Sequence, residues 1–178
     1  MTEQKITKPK FEETVSNLFD GDMKKSALDF LAQLRENKIS ISRSNSDNWK
    51  ISCKGMNLGK IMWLGHNSWT IETYGDDSKE FEKFIENENL QEIMQNNYFK
   101  CRLCNPKLCS LQAKKPENNF YGFTKTYFGK ELNNTCKHWL GGVFRNPNEQ
   151  TLDCIKKILI YKKQMERGGI LSAKPYTV

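Results

Sequence analysis

The sequence lacks long apolar runs. The longest, Ile61–Leu64, is far shorter than the ~20 apolar residues that a membrane-spanning helix needs. The first thirteen residues, MTEQKITKPKFEE, contain no apolar core of the kind found in signal peptides. We therefore expect a cytoplasmic protein with no membrane partner.

Histidine and catalytic motifs are also scarce. The chain has two histidines, His66 and His138, which leaves few candidates for a hydrolytic triad. It contains no Walker A loop, G-x-S-x-G elbow, HExxH motif or G-x-G-x-x-G fingerprint. Nothing in the pattern supports an enzyme, so we expect a protein that acts by binding.

The apolar fraction is low, at 37%, but the chain is not poor in aromatic residues. Aromatics make up 11% of the 178 residues and include four tryptophans, which argues against wholesale disorder. The length fits one domain, or one domain with a small appendage.

The N-terminal half predicts helices around a short meander. Residues 1–21 hold a polar lead and a short amphipathic helix, and residues 22–98 read as an α-β-β-β-α domain. A helix over Met23–Asn37, capped by Asp22, is indicated by apolar residues at three-to-four spacing. From residue 39 to 74 the pattern changes to period two with Gly/Asn turns, which predicts three or four antiparallel strands.

Residues 99–178 form a cysteine-rich basic region with a C-terminal helix. An aromatic strand is expected over Phe120–Phe128, and the final helix is expected to start with Asn146 as N-cap and Pro147 at its first position. The predicted fold class is α+β. It comprises an antiparallel β-meander packed with helices, then a cysteine-rich metal-stapled β-hairpin region and a C-terminal helix.

Four cysteines provide the most specific chemical signal. Cys101, Cys104 and Cys109 fall within nine residues, and Cys136 follows, giving the pattern C-x2-C-x4-C-x26-C. Two thiolates three residues apart can bind one tetrahedral metal ion, and Asn105 suits the left-handed turn that often follows such a pair. We expect these four cysteines to bind a structural zinc ion.

Other readings of these cysteines stay open. They could be reduced thiols without a metal, redox or stress-sensing thiols, or ligands of an iron–sulfur cluster, although the spacing fits neither common ferredoxin pattern. His138 could replace one sulfur. Cys53 and Cys154 alternate with apolar residues and are expected to pack in the core.

The positive charge is concentrated in the same region. Residues 98–145 contain nine Lys or Arg residues and two acidic residues, and this net charge of +7 equals that of the whole chain. A basic surface of this kind would bind nucleic acid or an acidic protein. For nucleic-acid binding, the lysines that we would expect to matter are Lys107, Lys114 and Lys115.

Several stretches resemble a family of small bacterial cytosolic proteins that has no assigned function. They are SALDFLAQLRENKISISRSNSDNWKISCKG, the Cys-x2-Cys-x4-Cys cluster, YFGKELNNTCK and FRNPNEQTLDCIKKIL. The resemblance extends over nearly the whole chain from about residue 22. It implies a bacterial cytosolic protein with a cysteine-bearing C-terminal half, and it carries over no activity.

Overall fold

The computed structural model describes residues 10–45, 48–75, 78–98, 123–135 and 141–167. Its helices are α1 (Phe11–Leu18), α2 (Gly21–Glu36), α3 (Lys79–Asn87), α4 (Gln91–Asn96) and α5 (Glu149–Arg167). Its strands are β1 (Ser40–Arg43), β2 (Asn48–Cys53), β3 (Met56–Gly65), β4 (Ser68–Thr73), β5 (Phe123–Tyr127), β6 (Lys130–Thr135) and β7 (Val143–Arg145). The described chain is therefore α+β, as the sequence predicts.

The larger sheet has five antiparallel strands in the order β1-β2-β3-β4-β7, and β5 and β6 form a separate hairpin. The first four strands are neighbours in both chain and sheet, which confirms the predicted meander. The sequence did not predict β7. A three-residue strand is too short to show a period of two, and the contact of Gly142 with Thr73 joins residues 69 apart in sequence.

The described residues belong to two compact units. The first comprises Met1–Thr70 and Arg145–Val178, and the second comprises Ile71–Phe144. These units are defined by contacts within the fold, whereas the predicted division at residues 21 and 98 follows changes in sequence composition.

In the first unit, one face of the meander is built on aromatic side chains. The strand register places Trp49 and Ile51 of β2 on the same face as Ile61 of β3, and all three are buried. We call this the Trp face. Phe11 of α1 contacts Trp49 edge-to-face, with 4.9 Å between ring centroids, so α1 packs on this face.

The same aromatic cluster anchors α2. The ring of Phe19, in the α1–α2 connection, lies 5.0 Å from that of Trp63 and 5.2 Å from that of Trp69. Phe30 of α2 contacts Trp69. The helix begins earlier than predicted, because the carbonyl of Asp20 accepts its first hydrogen bond and Asp22 is already in the first turn.

The start of α5 also differs from the prediction. Asn148, not Asn146, caps the helix, and its Oδ1 accepts a hydrogen bond from the backbone N–H of Thr151 at 2.9 Å. Asn146 has φ +43° and pairs instead with Trp69, accepting from its N–H through Oδ1 and donating to its carbonyl. The Asn-Pro-Asn sequence offers two caps, and the pairing of β7 with β4 uses the first one.

The second unit contains α3, α4 and the β5–β6 hairpin. Ser78 caps α3 through a 3.1 Å hydrogen bond from Phe81 N–H to its hydroxyl, which confirms one of the two predicted caps. Phe81 and Ile85 of α3, and Met94 of α4, are buried. Tyr127 and Leu132 supply the buried side chains of the hairpin.

Candidate metal centre

All four predicted zinc ligands, Cys101, Cys104, Cys109 and Cys136, lie outside the described residues, as does His138. Among the residues that the structure describes, no group of three or more His, Cys, Asp or Glu side chains could hold a metal ion. The structure bears on the site through the residues that flank it. These are Tyr98 before the first cysteines, Thr135 before Cys136, and Gly141 after it.

The chain before the first cysteines is paired with the chain after the last. Tyr98 forms an isolated antiparallel bridge with Gly142. Next to it, Val143 N–H donates a 2.7 Å hydrogen bond to the carbonyl of Asn97. Because α4 ends at Asn96, this pairing fixes the point from which the chain continues toward Cys101.

The same point is connected to the hairpin. The hydroxyl of Tyr98 donates a 3.0 Å hydrogen bond to the carbonyl of Asn133, three residues before Cys136. One turn earlier on α4, Gln95 donates from Nε2 to the carbonyl of Phe128 at 3.0 Å and to that of Tyr127 at 3.4 Å. The end of α4 is thus hydrogen-bonded to the β5–β6 turn and to β6.

The β5–β6 turn has an unusual residue for its geometry. Phe128 and Gly129 both have positive φ, at +51° and +72°, as in the two-residue turns that normally use Asn-Gly. A bulky residue is rarely found in this conformation. The two hydrogen bonds to Gln95 hold the carbonyls at this turn and help to stabilise it.

The chain after the last cysteine packs tightly against β4. Gly142 N–H donates to the hydroxyl of Thr73 at 3.1 Å, and Thr73 N–H donates to the carbonyl of Gly142 at 3.0 Å. A Cβ atom on Gly141 would overlap the carbonyl oxygen of Thr73. The Gly141-Gly142 dipeptide was the available sequence signal for this close approach, although the sequence does not name its partner.

The two described cysteines are core residues, as predicted. Cys53 and Cys154 are free thiols, 3% and 0% exposed. Burial, reinforced by the charge of Asp153, raises the pKa of the Cys154 thiol from 9.0 to about 12. At neutral pH this thiol is therefore protonated and poorly reactive.

Two other polar residues discussed from the sequence have structural roles. His66 lies in the β3–β4 turn, and its Nε2 is 3.2 Å from Oδ2 of Asp20, with both side chains exposed. Lys163 of α5 donates a hydrogen bond to the carbonyl of Asn37, at the end of α2. Lys163 therefore helps to join α5 to α2, and it is not simply part of a solvated helix face.

No helix among the described residues is long and apolar enough to cross a membrane. No family model matches the chain, and comparisons with curated proteins and with solved structures find no significant similarity. The resemblance to small bacterial proteins therefore stays a prediction.

Proposed function

We propose that the chain is a small, non-enzymatic metal-binding protein in which Cys101, Cys104, Cys109 and Cys136 hold one structural zinc ion. The observation that supports this most directly is the bridge between Tyr98 and Gly142. The two cysteine-bearing segments are separated by the hairpin in sequence, and their described flanks are nevertheless hydrogen-bonded in one unit.

The distances along the chain are compatible with a shared site. Cys101 is three residues from Tyr98, a length that spans at most roughly 10 Å when fully extended. Cys136 follows directly after β6, three residues from the carbonyl that the Tyr98 hydroxyl contacts. Both segments can therefore reach one tetrahedral ion without a change in the described hydrogen bonds.

A zinc ion would also answer a stability requirement of this region. Residues 98–145 carry few aliphatic side chains, and the contacts between α4, β6 and the Gly141-Gly142 segment are largely hydrogen bonds. Each such bond contributes about 1 kcal/mol net. Structural zinc contributes roughly 10–16 kcal/mol in isolated zinc modules, so it would dominate the ordering of the segment.

The charge of this region suits a negatively charged partner. Four thiolates and one Zn²⁺ carry a charge of −2 together, so a filled site would leave residues 98–145 with a net charge of +5. The zinc ion would order the segment, and the segment would present its basic residues to nucleic acid or an acidic protein. In this function the metal holds a binding surface together and takes no part in a reaction.

The test is the metal content of protein purified under reducing conditions without chelator, measured by elemental analysis. We expect one zinc ion per chain, and loss of most of it when Cys101, Cys104, Cys109 or Cys136 is replaced by Ser. Cys53→Ala and Cys154→Ala are the matched controls, because both thiols are buried in the core, and they should keep the full metal content. A stably folded protein without metal would refute the proposal.

Thiol titration distinguishes the metal site from a redox function. The six cysteines should become reactive in steps: none in the native protein, four after chelation, and all six after unfolding. A redox or stress-sensing protein would instead have at least one of Cys101, Cys104 and Cys109 alkylated rapidly in the native state, with no effect of chelator.

A further inference from the structure

The face of the meander opposite the Trp face carries a pair of lysines. The register between β2 and β3 places Lys50 directly opposite Lys60. On the other side of Lys50, the register between β1 and β2 places Ser42, and Ser40 pairs with Ser52. These five residues share one face of the sheet, which we call the Ser-Lys face.

The Ser-Lys face is accessible. Ser40 and Ser42 are exposed, and Lys50, Ser52 and Lys60 are partly exposed, as expected of side chains in the interior strands of an open sheet. The hydroxyl of Ser40 contacts that of Ser52 at 3.1 Å and donates to its carbonyl. Small hydroxyl side chains therefore surround the lysines and leave both ammonium groups room to approach a ligand.

The charge on these strands has one sign. The described residues of β1, β2 and β3 include no Asp or Glu, and Lys54 in the β2–β3 turn adds a further positive charge. In this unit the described acidic residues lie instead on α1, α2 and the start of α5 and in the α1–α2 connection, among them Glu12, Glu13 and Asp29. The one other basic residue of these strands, Arg43, lies on the Trp face, 5.9 Å from the ring of Trp49.

Lysines placed directly opposite each other on neighbouring strands repel, which destabilises a sheet. Their Cβ atoms lie roughly 4.5–5.5 Å apart in such a pair, close enough for both ammonium groups to contact one anion. A phosphate bound there would neutralise the repulsion, and nearby hydroxyls would supply further hydrogen bonds to its oxygens.

We propose that the Ser-Lys face binds the phosphate backbone of a nucleic acid without reading its sequence. The face offers Lys and Ser side chains, which are typical phosphate contacts, and no aromatic side chain on which a base could stack. The β1 and β2 residues of this face, and its neighbour Asn48, are all polar. An acidic protein is a poorer fit, since stable protein interfaces have an apolar centre.

The test is fluorescence anisotropy with a labelled mixed-sequence DNA duplex of about 20 base pairs, at salt concentrations from about 50 to about 200 mM. Binding should weaken steeply with salt. Lys50→Glu/Lys60→Glu should weaken it on the order of tenfold or more at the lowest salt, and reduce the salt slope by roughly one per lysine. Lys50→Gln/Lys60→Gln should have a smaller effect in the same direction, and its lower charge makes it less disruptive to the sheet.

Lys25→Glu/Lys83→Glu is the matched control. Both lysines are exposed on helices, and the double variant makes the same change in net charge. It should bind within about twofold of the unchanged chain, because long-range effects of distant exposed charges are screened. Near-ultraviolet circular dichroism of the Trp cluster verifies that each variant is folded.

Three results would overturn the proposal. The first is no salt-dependent binding by the folded chain, and the second is an equal loss in the control variant. The third is a loss confined to Lys107→Glu/Lys114→Glu/Lys115→Glu, which would place nucleic-acid binding in the cysteine-rich region. Competition by polyglutamate as effective as competition by DNA would assign the face to an acidic protein instead. Because Lys50 and Lys60 lie outside the cysteine segments, this proposal and the zinc proposal can fail independently.

Discussion

The two compact units are stabilised in different ways. In the first, the rings of Phe11, Phe19, Trp49, Trp63 and Trp69 form a continuous cluster with centroid separations of 4.9 to 5.9 Å. In the second, the cysteine flanks are joined mainly by hydrogen bonds from Tyr98, Gln95 and Thr73. The first unit depends on non-directional burial, and the second depends on the exact placement of donors and acceptors.

The polar atoms of the aromatic cluster support this contrast. The indole N–H groups of Trp49, Trp63 and Trp69 are buried and have no hydrogen-bond partner. Such a group is costly, so the area of each ring must outweigh it. By contrast, in the second unit a single hydroxyl or amide is the link between elements.

The largest effect should come from the tightest backbone contact in the second unit. Gly141→Ala places a methyl group against the carbonyl oxygen of Thr73, which cannot move without breaking its strand. We expect a loss of more than about 4 kcal/mol in the free energy of unfolding, measured by urea denaturation. The matched variant Gly142→Ala meets the ring of Phe144, a side chain that can turn, so it should cost less. Equal costs would show that the approach to Thr73 is not critical.

A large loss is also expected from the aromatic cluster of the first unit. Trp69 is 1% exposed and contacts the rings of Phe19, Phe30 and Trp63. Trp69→Ala should lower the free energy of unfolding by about 3 to 4 kcal/mol, since it leaves a large cavity. Amide hydrogen exchange should show the loss of protection first in β2, β3 and α2. A loss that began in the hairpin would contradict the division into units.

The dryness of the first core can be measured through Cys154. Burial raises the pKa of its thiol to about 12, whereas an unfolded chain releases the proton near 9.0. Between these values the unfolded state binds fewer protons, so stability falls as the pH rises. From about pH 8 to about pH 10 this thiol should remove about 1.4 kcal/mol. Cys154→Ala should lack this component, and identical pH profiles for the two proteins would disprove it.

The smallest effect tests a single hydrogen bond in the second unit. Tyr98→Phe removes the bond to the carbonyl of Asn133 and keeps the ring. It should cost about 1 kcal/mol. If the proposed zinc site is present, the variant should also lose its metal at a lower chelator concentration. Unchanged stability and unchanged metal retention would separate Tyr98 from the cysteine region.

Local patterns in the sequence were sufficient for most elements. The three-to-four spacing of Ala27, Phe30, Leu31 and Leu34 predicted α2, and these residues are buried in it. Alternation around Trp49 and Ile51 predicted β2 and its buried face. These predictions succeeded because helix and strand periods are properties of neighbouring residues. The cysteine spacing likewise gave the candidate metal ligands, which remain a prediction.

The long-range contacts could not be obtained in this way. The pairing of β7 with β4, the use of Asn146 by Trp69 and the bridge from Tyr98 to Gly142 join residues that are distant in sequence. No local period reports such pairings. Lys50 and Lys60 are both visible in the sequence, but that they lie side by side depends on the register of two strands.

By itself, the sequence determined the helices, the meander and the burial of Cys53 and Cys154, because each follows from local spacing and from the removal of apolar groups from water. Only the tertiary structure decided that Gly141 packs on Thr73, that the flanks of the cysteine segments are paired, and that one face of the sheet carries adjacent lysines. The physical reason is that strand register and close backbone approach depend on how distant segments pack together, and side-chain chemistry along the chain does not encode that geometry locally.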